Sequence, residues 1–157
     1  MILSADTNLF LYAANPDSPH HEAAQRFFEE QAGGNQRFLL CGPVLVEIYI
    51  QLRNPAVFKK PKTAREAASF CDSLRAHPTW EFGDYEPAVA KPLWDWASRT
   101  TTGFRQIIDA RLAFTLRHHG VSHFATANAK HFEAFGFAKV WNPIPHRSAD
   151  RQTRHHS

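Results

Sequence analysis

Three carboxylates stand where a carboxylate is costly, and an amide stands close to the same edge of the implied fold. Asp6 closes the apolar run Met1–Ala5, and Glu47 interrupts the run VLVEIYI. Asp109 shares a helical stripe with Leu112, Ala113 and Leu116, at i+3, i+4 and i+7. An ionised carboxylate taken out of water needs compensation. Each acid has a structural explanation of its own. Asp6 can cap a helix that begins at Thr7, Glu47 can pair with a basic residue of a neighbouring helix, and Asp109 can pair with Arg105 or Arg111. Taken together with Asn128, they would form a set of oxygen donors lacking His and Cys, which suits Mg²⁺ or Mn²⁺. Clustered carboxylates raise one another's pKa unless a cation offsets them. A divalent ion so held could activate a water and hydrolyse a phosphodiester.

These side chains can meet only if the intervening elements bring them together. Met1–Ala5 reads as a buried strand ending at Asp6, and Thr7–Ala14 as a helix broken at Asn15-Pro16. Ser18-Pro19 opens a second helix that Gly33-Gly34 stops, and Phe38–Cys41 is the next strand. Pro43 stands at the first turn of a helix closed by Asn54-Pro55. Thr63 with Glu66 has the spacing of a capping box, opening a helix that ends near His77. Trp80–Phe82 is a short strand, a helix runs from Glu86-Pro87 to Arg99, and a long one runs from Phe104 to His119, closed by Gly120. Val121–Thr126 is a strand, Ala129–Phe135 a short helix and Ala138–Trp141 a last strand. Strands separated by helices imply an α/β fold with a parallel sheet covered on both faces. In such sheets ligands gather beyond the C-terminal ends of the strands, which is where Asp6 and Asn128 fall.

The 157 residues, 43% hydrophobic and 21% charged, fit one globular domain. Residues 1–145 read as that domain and 146–157 as a disordered basic tail, in which Arg147, Arg151 and Arg154 outnumber Asp150. Two cysteines, Cys41 and Cys71, are too few for a disulfide framework and read as reduced thiols of a cytoplasmic protein. The start MILSADTN lacks the basic and apolar regions of a signal peptide. No apolar run approaches the ~18 residues of a membrane span. The ten histidines include adjacent pairs but no H-x-H or H-E-x-x-H, so a His-based metal site is not expected. A net charge of +3 permits phosphate-bearing partners without requiring them.

The segments LSADTNLFLYA, GPVLVEIYIQLRNP, RQIIDARLAFTLRHHGV and HFATANAKHFEAF, followed by VWNPI, resemble the PIN-domain ribonucleases, in particular the VapC toxins of bacterial toxin–antitoxin pairs. The resemblance runs over residues 1–145. It implies a three-layer α/β/α sandwich around a parallel sheet and a Mg²⁺- or Mn²⁺-dependent endoribonuclease whose site an antitoxin blocks. Position by position, it implies that Asp6, Glu47 and Asp109 are metal-site acids. Asn128 falls at the fourth position, which is Asp in many relatives, and Thr126 matches a frequent Ser or Thr at the strand end. A neutral Asn128 supplies no charge, so one firmly held ion is expected, with a second arriving, if at all, with the RNA phosphate.

RNA phosphates need cations. Arg99 and Arg105, flanking the loop before the Asp109 helix, and Lys130 with His131 after Asn128 are the candidates nearest in sequence, with Lys59, Lys60 and Lys62 forming another basic turn. Trp80 could stack on a base, whereas Trp94 and Trp96 read as core or interface residues. The resemblance further implies an antitoxin held by the apolar early helices, and homodimers are common among such toxins. Two other classes compete. A PIN-like binding module with a degenerate site would act through protein or RNA contacts without cleavage. A receiver-like phospho-acceptor domain would need a paired acid near the first strand, where Ile2-Leu3-Ser4-Ala5-Asp6 offers one only.

Overall fold

Ile2–Ala5 (β1) is buried along its whole length, as a strand covered on both faces must be. In the computed structural model, which describes residues 1–145, it is the middle strand of a five-stranded sheet. The expected disordered tail, residues 146–157, lies outside the described residues. The other strands are Arg37–Cys41 (β2), Glu81–Gly83 (β3), His123–Ala125 (β4) and Lys139–Trp141 (β5), in the spatial order β3-β2-β1-β4-β5. Every pairing is parallel, so every connection crosses a face of the sheet.

The helices are Thr7–Ala14 (α1), His21–Phe27 (α2), Gly42–Leu52 (α3), Ala64–Arg75 (α4), Pro87–Arg99 (α5) and Gln106–His118 (α6). The first four pack as a connected layer, α1 on α2 and α3, and α3 on α4. Helices α5 and α6 pack on each other, and the right-handed crossover from β3 back to β4 sets them on the opposite face. This is the expected α/β/α sandwich. Leu3, Leu9, Phe38, Leu40, Ile48, Leu52, Leu116 and Phe124 fill its core. Strand order reverses between β1 and β4: β1 leads outward to β2, and β4 to β5. At that switch point Ala5 pairs with Ala125, so Asp6 and Thr126 leave the sheet side by side.

The capping box predicted at Thr63 and Glu66 is present, with both reciprocal hydrogen bonds. Gly120 takes the left-handed conformation (φ 87°) that ends α6. Several boundaries differ from expectation. Helix α2 starts at His21, after a turn, and its continuation Phe28–Ala32 widens into a π-helical turn. Strand β4 is confined to His123–Ala125, yet Thr126 still donates its N–H to the Trp141 carbonyl. Ala129–Phe135 is two separate 3₁₀ turns, 129–131 and 133–135, joined at Phe132. Phe104 and Arg105 lie outside α6.

Phe132 anchors this double turn. It is 2% exposed, meets the buried Phe124 edge-on at 4.9 Å and packs against Phe135. Arg117 ties the second turn down from α6 by donating to the Phe135 carbonyl at 3.1 Å. The backbone between β4 and β5 is therefore held by aromatic packing in place of a sheet or long helix. Phe132→Ala is expected to lower unfolding free energy by about 3–5 kcal/mol, read from urea denaturation followed by tryptophan fluorescence.

Candidate metal site at the sheet edge

Asp6 serves two purposes at once. Its backbone caps α1, and its Oδ1 accepts the Thr7 N–H at 2.8 Å. Its Oδ2 accepts the Thr126 hydroxyl at 2.8 Å, across the switch point. The expected helix cap is present, and the same carboxylate is also tied across the switch point. Thr126 Oγ1 in turn accepts the Asn128 N–H at 3.0 Å, fixing the turn that presents Asn128. On the other side, Thr7 donates its hydroxyl to Glu47 Oε2 at 2.7 Å. Two threonines, both buried, therefore orient two of the three carboxylates.

Asp6, Glu47, Asp109 and Asn128 all line one cleft of about 900 Å³. They come from β1's end, α3, α6 and the turn after β4, so the structure brings together the four residues singled out in the sequence. Glu47 departs from expectation in one respect. The run VLVEIYI is not buried all round: Glu47, Val46 and Ile50 are exposed, and Glu47 and Ile50 line the cleft. Glu47 finds Thr7 instead of a basic neighbour. Asp109 likewise does not pair with Arg105 or Arg111; its Oδ2 lies 3.7 Å from His131 Nδ1.

Burial pushes the Asp6 carboxyl above its usual range, against the pull of the Thr126 and Thr7 hydrogen bonds, and the charges of Glu47 and Asp109 push it further. Asp109 is also raised, first by burial and then by Glu47, with His131 opposing. The site thus holds more negative charge than it can comfortably carry alone. Asp6, Glu47, Asp109 and Asn128 bring carboxylates and an amide to the cleft, oxygen donors of the kind Mg²⁺ or Mn²⁺ takes. Among the described residues no three His, Cys, Asp or Glu side chains enclose a metal position outright.

The expected phosphate contacts are dispersed. Lys59 lines the cleft itself. Arg105 lines a neighbouring depression that shares Asp109 with the cleft and includes His131. Lys130 is exposed on the turn after Asn128. Arg99 is elsewhere: its Nε donates to the Asp95 carbonyl, and it borders a separate hollow beside Phe114. Trp80 is not free to stack, since it packs on Phe38 and His77 and donates its indole N–H to Ala32. Trp96 packs against Phe135, whereas Trp94 is exposed and not part of the core. Sequence reasoning missed Asp17, a further carboxylate lining the cleft. Its signal was the Asn15-Pro16 break, after which the chain folds back over α1, with the Asp17 N–H held by Asn15 Oδ1.

Known proteins share the family and the fold. The family model described as PIN domain matches residues 5–138. Ribonuclease VapC24 of Mycobacterium tuberculosis is 45% identical over 143 residues, covering 91% of this chain and 97% of the relative. Among solved structures, Mycobacterium tuberculosis VapC20, a sarcin-ricin loop cleaving toxin, superposes with a TM-score of 0.65 at 18% identity, covering 86% of this chain and 95% of that one. VapBC2 from Rickettsia felis, bound to a DNA fragment from its promoter, gives 0.62 at 18% identity over 90% and 98%.

The raised carboxyls make a prediction for the metal-free protein. A carboxyl whose folded pKa exceeds its unfolded value favours folding in the protonated form, and that contribution is lost as pH rises through the folded pKa. Asp109→Asn is therefore expected to raise the melting temperature in chelator at pH 8, with the gain shrinking towards pH 4. A melting temperature at pH 8 equal to or below wild type would remove Asp109 from the charge cluster.

Proposed function

The chain belongs to the PIN-domain family, and from that premise we propose that it is a Mg²⁺- or Mn²⁺-dependent endoribonuclease acting as the toxin of a type II toxin–antitoxin pair. One observation carries the reading. Asp6, Glu47 and Asp109, from three elements distant in sequence, face a single cleft at the switch point of a parallel sheet, with Asn128 beside them. The strong likeness to a curated VapC ribonuclease over nearly the whole chain supports the same activity.

A divalent ion bound there would supply a nucleophilic water at neutral pH and offset the charge that builds on the phosphate. Asp6 and Asp109 would hold it, with Glu47 beside them. The rest falls to this chain. Thr126 and the Thr7 N–H keep the Asp6 carboxylate in one orientation, each engaging one of its oxygens. Thr7 fixes Glu47 in the same way, leaving Glu47 Oε1 free to accept a proton or a hydrogen bond from water. Asn128 contributes an amide that can orient a water or a phosphate oxygen without adding charge. Lys59 at the cleft wall supplies a cation for the RNA backbone.

Asp6→Asn, Glu47→Gln and Asp109→Asn each remove a charge and little volume. Each is expected to lower cleavage of a fluorescent oligoribonucleotide by about 100-fold or more while the circular dichroism spectrum stays native. Wild-type cleavage should vanish in EDTA and return with Mg²⁺ or Mn²⁺. Cleavage that survives both EDTA and Asp109→Asn would leave a metal-free reading, and RNA binding without cleavage would favour a degenerate binding module.

The partner we propose is an antitoxin that presents an Arg to the same carboxylates. A guanidinium can serve two carboxylates through its planar fork and stands where ion and phosphate must sit. The early helices do not provide the expected apolar seat, because Leu9, Phe10, Leu11 and Phe27 are buried in the core; exposed Ile50, Val57 and Ile108 rim the cleft and offer an amphipathic segment that seat instead. The Asp6→Asn/Asp109→Asn double variant is expected to bind the antitoxin at least tenfold more weakly by calorimetry. Equal binding to wild type and to the double variant would place the antitoxin away from the acids.

A further inference from the structure

Phe104 is the most exposed large apolar side chain of the described residues, at 92%. Its exposure is built in. The loop between α5 and α6 is shaped by its own hydrogen bonds: Thr100 and Thr102 share a hydroxyl contact of 2.7 Å, the Thr102 N–H donates to Thr100 Oγ1, and the Gln106 N–H donates to the Gly103 carbonyl. The loop thus holds the ring in water, where an aromatic side chain has no packing reason to be. Beside it lies a depression of about 510 Å³, within the ~300–1,000 Å³ of small-ligand pockets, lined by Thr102, Phe104, Arg105, Gln106, Asp109 and His131. Asp109 is common to this depression and to the acidic cleft. A second, independent feature lies in the same wall. Gln106 Oε1 is buried and accepts no hydrogen bond, the one such side-chain atom among the described residues. Buried acceptors are normally paired with protein or ordered water, so this one has capacity for a donor.

We propose that this depression is a nucleobase subsite for the nucleotide next to the scissile phosphate, with Phe104 as the stacking face and the Gln106 carbonyl as the acceptor for an exocyclic amino group. The subsite rests on the ribonuclease reading, because Asp109 ties it to the cleft where cleavage would occur. Stacking on an exposed ring captures any unpaired base and selects single-stranded RNA over duplex. The buried acceptor adds discrimination: adenine, cytosine and guanine carry an exocyclic amino group that satisfies it, whereas uracil offers only its ring N3–H. Arg105, at the rim, supplies a cation for the adjoining phosphate.

The test separates the subsite from the chemistry. Bis-p-nitrophenyl phosphate is a small diester that carries no base, so its metal-dependent hydrolysis reports the acidic site alone. Oligoribonucleotides with adenine, cytosine or uracil flanking one cleavable bond report the subsite. Phe104→Ala is expected to raise KM for RNA about 5- to 150-fold, to change kcat little and to leave diester hydrolysis as in wild type, with Phe104→Trp restoring KM. Gln106→Leu should abolish the preference for adenine and cytosine over uracil. An unchanged KM in Phe104→Ala, an equal loss of RNA and diester hydrolysis, or wild-type preference for uracil would each overturn the subsite while the ribonuclease reading stands. Weaker antitoxin inhibition of Phe104→Ala with an unchanged RNA KM would make the ring a protein anchor instead. Wild-type protein that hydrolyses neither substrate with Mg²⁺ or Mn²⁺ would overturn the ribonuclease reading, and the subsite with it.

Discussion

Carboxylates gathered at one edge of a sheet repel one another, and the fold must fix them in place before any ligand relieves the repulsion. The Thr126–Asp6 hydrogen bond is the point on which this depends. It spans the gap where β1 and β4 diverge, and it orients a carboxylate that burial would otherwise drive towards its neutral form. Thr126 can do this because Ala5 pairs with Ala125 in register. It also receives the Asn128 N–H, so one hydroxyl sets both the first acid and the amide that faces it. Thr7 repeats the arrangement towards α3, reaching Glu47 with its hydroxyl while its N–H serves Asp6. The site is thus a chain of short polar contacts, Asn128–Thr126–Asp6–Thr7–Glu47, anchored at the buried ends of β1 and β4. Asp109 stands outside this chain and is steadied from the opposite side by His131.

Much of this was legible in the residues. A short buried strand ending in Asp, helices with periodic apolar faces, and a second strand ending in Thr were enough to place Asp6 and Asn128 at the same sheet edge. The capping box at Thr63 and the glycine stop at Gly120 are local signals, and local signals survive folding intact. What escaped was decided by tertiary surroundings. Glu47 looked buried because its neighbours in sequence are apolar, but Val46 and Ile50 are exposed, and Glu47 and Ile50 line an open cleft. Ala129–Phe135 has the composition of one helix, yet Phe132 must reach Phe124 in the core, and two tight turns achieve this where a helix would not. Arg99 is near Arg105 in sequence but belongs to the other side of the loop, where it borders Phe114. Sequence distance is a poor guide to which cations share a cleft.

Acid clusters of this kind are costly for stability and are kept for what they bind. The two raised carboxyls mark where the folded chain would gain from a cation, whether an ion or a guanidinium. Metal and antitoxin would therefore compete for one electrostatic vacancy. The apolar rim of Ile50, Val57 and Ile108 would then distinguish them, since it offers a peptide something that an ion cannot use.

The Thr126–Asp6 contact joins residues 120 positions apart. Its sequence separation has a consequence for synthesis. Strand β1 leaves the ribosome first, but it is central and needs β4 beside it, so the edge that carries the acids cannot close until most of the chain has emerged. Asp109 and Asn128 arrive late as well. A growing chain therefore carries Asp6 and Glu47 for most of its translation without an assembled site, and the last stretch of the domain to be made switches on whatever those acids do. For a protein that would cut RNA, the order of the strands delays that activity until β4 and the turn bearing Asn128 have followed β1 out of the ribosome.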